Sequence, residues 1–144
     1  MVAFSVAIFL NIRCYEQGNY IMQWLAVAFG GALGAMGRFA VNTAFVPMFG
    51  GRLFMSTLAV NVVGSALMGL CYVLIIERGV FPAELKNILM VGFLGAFTTF
   101  SSFSLDTLDL WQNGQPILAT AYVVLSVALC LMGTLGAIFL TRLF

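Results

Sequence analysis

The chain has 144 residues, 62% of them hydrophobic and only 8% charged, with six Lys/Arg, five Asp/Glu and no histidine. A soluble domain carries about a quarter charged residues, so this composition, with a mean hydropathy of +1.09, excludes a water-soluble fold and specifies an all-α integral membrane protein. The absence of histidine removes the Ser-His-Asp triad and the usual zinc sets. No GxxxxGK[ST] loop and no basic cluster occurs, so neither nucleotide hydrolysis nor nucleic-acid binding is expected. Enzyme chemistry is not expected.

Residues 1–21 form an N-terminal extension. Its apolar run, MVAFSVAIFLNI, ends before Arg13 and is shorter than the roughly 20 residues a bilayer crossing needs. It lacks the basic start and small-residue cleavage site of a signal peptide. It is expected to be dispensable, or at most a short interfacial helix, because MQWLAVAFGGALGAMGRF gives a cleaner helix start at Met22. Residues 22–144 are expected to form one unit of four transmembrane helices: Ile21–Phe45, Leu53–Ile76, Asn87–Leu110 and Pro116–Leu140. The connectors PMFGGR, ERGVFPAELK and QNGQ carry the Gly, Pro and charge of turns.

In the first span, Gly30-xxx-Gly34 is the small-residue spacing that lets helices approach closely in lipid. In the second, Thr57, Asn61 and Ser65 recur every four residues and so share a face. The third contains GFLGAFTTFSSFSLD. Gly92 and Gly95 permit a break there, and the hydroxyls of Thr98 and Thr99 can satisfy the backbone groups it releases; a packing kink in an ordinary helix is the plainer alternative. Beyond it, Phe100, Phe103, Ser104 and Thr107 share a face. In the fourth span Tyr122, Ser126, Cys130 and Thr134 do the same. Cys14, Cys71 and Cys130 have no paired spacing and read as small apolar packing residues.

Three neutral polar faces point to a lined pathway. Hydroxyl and amide donors, together with the positive edges of phenyl rings, suit an anion. No charged residue stands near mid-membrane to trap it, and conduction requires weak binding. With four spans, Arg78, Lys86 and Arg142 share one membrane side, joined by Arg13, while Arg38 and Arg52 lie on the other. Such a slight Lys/Arg bias allows insertion in both orientations; a single orientation with a modest bias is the competing reading.

GGALGAMGRF, STLAVNVVGSALMG and GFLGAFTTFSSFS, in this order, resemble the CrcB/Fluc family of fluoride channels from Met22 to the C-terminus. The resemblance implies a four-helix protein of the bacterial inner membrane with a broken third helix, inserted in both orientations and paired as a dual-topology antiparallel homodimer. It implies passive fluoride export and a structural sodium ion at the dimer centre, held by backbone carbonyls that match Gly95 and Thr98. Pore residues of the family match Phe100, Phe103 and Asn61, with Thr57, Tyr122 and Ser126 on its polar track. Arg38 matches an arginine late in the first helix. Ser104 joins these through the shared face of the third span. Ser56, Ser102, Asp106 and Cys130 depart from the family pattern, standing for glycine, threonine, glutamate and a serine-track residue. Two other readings stand beside this one. A small proton-coupled multidrug exporter would need a carboxylate in the first helix, which is absent. A non-transporting assembly subunit would need packing motifs alone.

Overall fold

The computed structural model describes the backbone of all residues except 1, 49 and 83, and side chains from Tyr20 onward apart from 49 and 83. The fold is all-helical. Helix α1 spans Val2–Met48 and α2 spans Leu53–Cys71, continued by a π-helical segment, Tyr72–Glu77. A second π-helical segment, Lys86–Leu94, runs into the short α3, Gly95–Phe97; α4 is Phe100–Gln112 and α5 is Pro116–Leu143. Four stretches are long and apolar enough to cross a membrane: Tyr20–Met48, Leu53–Glu77, Lys86–Gln112 and Pro116–Leu143. The protein is a multi-pass membrane protein. The backbone of the N-terminal extension continues α1 without a break, where a separate short helix was one expectation. Its first 19 side chains, and so the reading of residues 1–21 as an interfacial or dispensable segment, lie outside the described residues.

The turns follow from local chemistry. Gly114 has φ +74°, and Gln115 N–H reaches back to the Leu110 carbonyl at 3.0 Å while Gly114 N–H bonds Trp111. This is the glycine-terminated helix end that consumes orphan carbonyls. Gly50 ends α1 in the same way, with Gly51 N–H on the Val46 carbonyl at 2.9 Å. Pro116 then opens α5 at a position where its missing N–H costs nothing.

The first span packs against the π-helical segment and α3 of the third, the second against the fourth, and α4 against α5. Glycine sets the first of these contacts. A methyl group at Gly30 would overlap the Ile88 carbonyl, and one at Gly34 the Phe93 carbonyl. From the other side, a Cβ at Gly92 would lie 2.8 Å from the Val27 carbonyl oxygen. Backbone thus meets backbone across this seam, the close approach that the Gly30-xxx-Gly34 spacing anticipates. The second and fourth spans meet at Gly69, where a Cβ would stand 2.5 Å from the Thr134 carbonyl. Thr134 Oγ1 donates across this seam to the Ser65 carbonyl at 3.0 Å. Arg142 bonds Glu77 through two nitrogens and accepts at its carbonyl from Arg78, which ties the ends of these spans together on one membrane side.

Gly30→Ala and Gly34→Ala should each lower stability by about 1–3 kcal/mol, because carbonyls rather than flexible side chains occupy the space. Gly37→Ala, whose methyl meets the Phe97 ring at an ordinary 3.5 Å, should be neutral or stabilising by up to about 1 kcal/mol. Thermal unfolding of the three purified variants in detergent checks the contrast; equal midpoints would sink the glycine-seam reading.

Candidate functional site

Between α3 and α4 the chain leaves helical geometry. Thr98 has φ −75°, ψ 158° and Thr99 has φ −152°, ψ 119°, both extended. Gly92 and Gly95, the residues expected to permit a break, are themselves helical, so the departure lies three residues beyond Gly95. Buried backbone needs partners, and Asn61 supplies them from the second span. Its Nδ2 donates to the Thr99 carbonyl at 2.9 Å and its Oδ1 accepts the Thr99 N–H at 2.7 Å. The Thr99 hydroxyl caps α4 by accepting from Ser102 N–H at 3.2 Å, the usual work of a threonine at a helix start. Thr98 Oγ1 turns back to the Leu94 carbonyl at 2.9 Å. Gly64 leaves room for the bend, since a Cβ there would overlap Thr98 Cγ2.

These bonds have a consequence for two carbonyls. In a continuous helix Thr99 N–H would pair with Gly95 and Ser102 N–H with Thr98. Both donors go elsewhere, to Asn61 Oδ1 and Thr99 Oγ1, so the Gly95 and Thr98 carbonyls lose their helical partners.

The extended residues open onto a cleft of about 390 Å³. Asn61, Thr98, Phe100, Phe103, Ser126 and Cys130 are among its lining residues, none of which is charged. Phe100 and Phe103 are in tilted ring contact, centroids 5.3 Å apart at 46°. Phe100 is 77% exposed while Phe103 is buried, so the pair runs from the open side of the cleft into the helix bundle. The Ser126 hydroxyl is buried beside the Tyr122 hydroxyl and, among the described residues, has no partner at full hydrogen-bond geometry. Most serines in such helices bond their own backbone, as Ser104 does to the Phe100 carbonyl at 2.9 Å. Ser126 does not, and its hydroxyl lies beside that of Tyr122 at the wall of the cleft.

Phe103 hands the cleft on to a second group. Its ring centroid is 5.3 Å from that of Tyr122, which meets Phe54 edge-on at 5.5 Å. The Tyr122 hydroxyl donates to buried Asp106 at a long 3.4 Å, and buried Thr57 lies beside the same carboxylate. Asp106 also lines a more polar cavity of about 600 Å³ at the end of the bundle, with Arg52, Asp109, Asn113 and Gln115.

The structure therefore gathers Asn61, Thr98, Phe100, Phe103 and Ser126 in one cleft and sets Thr57 and Tyr122 one aromatic ring further on. Gly95 is exposed, and Arg38 is half-buried on the first span, outside the linings of both cavities. Sequence reasoning left Asp106 without a role and did not single out Asn42, whose Oδ1 accepts from Ser56 at 2.5 Å. Ser56 is fully buried. Its place in a family-glycine position was visible; its partner fourteen residues away was not.

Tyr122→Phe should keep the ring contacts and lose about 1 kcal/mol or less. Tyr122→Ala should cost about 3–5 kcal/mol through the cavity left between Phe54 and Phe103. Equal losses in thermal or denaturant unfolding would show that the aromatic stack contributes nothing.

The CrcB-like protein, Camphor Resistance (CrcB) family matches residues 25–138, which hold the glycine seam, the extended residues and the whole cleft. A protein of Saccharophagus degradans is 47% identical over 122 residues, covering 85% of this chain and 91% of its own. One from Cereibacter sphaeroides is 46% identical over 85% of this chain and 96% of its own. One from Hahella chejuensis is 44% identical over 81% of this chain and 92% of its own. All three are named fluoride-specific ion channel FluC. With the match running across all four spans, the chain belongs to the CrcB family.

Proposed function

We propose that this protein is a fluoride-selective channel that lowers cytoplasmic fluoride by passive export across the bacterial inner membrane. The observation that carries the reading is the buried Ser126 hydroxyl, not tied to its own helix, in an uncharged cleft beside the tilted Phe100–Phe103 pair. Fluoride is small and holds its water strongly. Leaving water is affordable only where donors replace it, and here these are Ser126, the second N–H of Asn61 and the ring edges of Phe100 and Phe103. The lack of a Lys or Arg in the lining keeps binding weak enough for release. Tyr122 and Thr57 continue the path toward the cavity holding Arg52 and Asp106. Ser104, whose hydroxyl is engaged by its own helix, stays in the pathway only through the face it shares with Phe100 and Phe103, and Arg38 only through the family correspondence. The names of the relatives support this reading. The exporter alternative finds no support, since the first span has no Asp or Glu.

The functional unit is residues 22–144 as an antiparallel homodimer in the lipid bilayer. The cleft is open on the side where Phe100 is exposed, and a second copy is the natural cover. The extended Thr98–Thr99 step acts as the break of the third helix. The Gly95 and Thr98 carbonyls, deprived of helical partners, fit a sodium ion, because unwound backbone carbonyls in membrane helices coordinate such ions. The ion would satisfy those two carbonyls where the helix is interrupted.

Phe100→Ile and Phe103→Ile keep bulk but remove the ring quadrupole, and each should slow fluoride efflux from vesicles about tenfold, equivalent to roughly 1.4 kcal/mol. Ser126→Ala should do the same by deleting a hydroxyl donor from the lining, and Asn61→Asp by placing an acceptor beside the anion path. Efflux at the parental rate from all four would return these side chains to packing roles.

C-terminal tags should appear on both membrane faces in comparable amounts, measured by labelling intact and permeabilised cells. Strictly one-sided labelling of active protein would rule out the antiparallel pair.

A further inference from the structure

We propose that Asn61 is a positioning residue for the sodium site, acting through the backbone of Thr99 rather than by touching the ion. The inference rests on the reading above that sodium sits at the Gly95 and Thr98 carbonyls, and adds what holds those carbonyls free.

Two hydrogen bonds carry it. Asn61 Oδ1 takes the Thr99 N–H at 2.7 Å, the donor that would otherwise close a helical turn onto Gly95. Asn61 Nδ2 grips the Thr99 carbonyl at 2.9 Å. A single amide thus fixes the peptide groups on both sides of Thr99 and denies them helical geometry. The fixed Thr99 then places its hydroxyl on Ser102 N–H, the donor that would otherwise close onto Thr98. Both carbonyls are therefore freed by one residue pair, with Gly64 supplying the space that lets Thr98 bend. A carbonyl without a donor in a water-poor setting is costly, and a cation relieves that cost. Gly95 is exposed on the single chain, so its carbonyl lies where a second copy can share the ion.

Asn61 also lines the cleft. One side chain thus touches the anion pathway and holds the cation site, so the two sites are coupled through it. Coupling is reciprocal: whatever loosens the amide grip weakens sodium binding, and sodium binding tightens the grip.

The test is a sodium titration of thermal unfolding, with N-methyl-D-glucamine as the replacing cation, on purified full-length protein. The parent should be stabilised by sodium. Asn61→Asp keeps the acceptor but turns an oxygen toward the Thr99 carbonyl, and Asn61→Leu removes both bonds. Each should raise the half-saturating sodium concentration about tenfold or more. Ser126→Ala, which changes the cleft without touching Thr99, should titrate like the parent. Asn61 variants titrating like the parent would overturn the proposal. A parent indifferent to sodium would overturn both this and the sodium reading, while fluoride efflux by that parent would leave the channel reading standing. If neither Asn61 variant folds, amide exchange decides the matter in the parent alone. Exchange at Thr99 should slow when sodium is added, and an unchanged rate there would contradict the coupling.

Discussion

A membrane interior offers no water to a backbone group that has lost its partner, and the extended step at Thr98–Thr99 must meet that constraint before anything else in this protein can work. Asn61 meets it. Its amide both accepts from and donates to Thr99, much as a neighbouring strand would, and Thr99 in turn caps the helix that restarts at Phe100. Without that pairing the cheapest course for residues 95–102 is to close into a continuous helix. Phe100 and Phe103 would then rotate away from the second and fourth spans, and the uncharged cleft would lose two of its walls.

The rest of the bundle reads as support for that step. The third span is pressed against the first at Gly30, Gly34 and Gly92, where backbone meets backbone. This leaves its other side free to face the second and fourth spans, which are joined at Gly69, Ser65 and Thr134. Phe103, Tyr122 and Phe54 then stack from the cleft toward the polar cavity at the membrane edge. Each of these rings packs against the next, which limits the rotamers open to Phe103 and Tyr122. Such packing favours selectivity for a small anion, because a donor that can swing away costs free energy to reorient.

Much of this was legible in the residues. Composition gave the membrane, and apolar run length placed four spans within a few residues of those observed: Ile21–Phe45 against Tyr20–Met48, and Pro116–Leu140 against Pro116–Leu143. Glycine spacing marked Gly30 and Gly34 as a close contact, and the four-residue periodicity put Asn61 on one face with Thr57 and Ser65, and Ser126 on one with Tyr122, Cys130 and Thr134. The position of the helix interruption was not legible. Glycines draw the eye to residues 92 and 95, yet the departure occurs at two threonines, because what determines it is a partner 38 residues away in sequence. Thr99 did carry a local signal, as a hydroxyl residue at the start of a renewed helix. The π-helical turns of Tyr72–Glu77 and Lys86–Leu94 had none, since they leave the apolar pattern of a span intact. Asn42 with Ser56 and Asp106 with Tyr122 are likewise pairs made by tertiary packing between different spans.

The most direct measurement is on the unaltered protein in lipid. Vesicles loaded with both potassium fluoride and potassium chloride, opened to potassium by valinomycin, report the two anions through separate electrodes. A path in which donors and ring edges replace the water of a small anion should release the fluoride and retain the chloride. Retention of both anions, or release of chloride alongside fluoride, would contradict it.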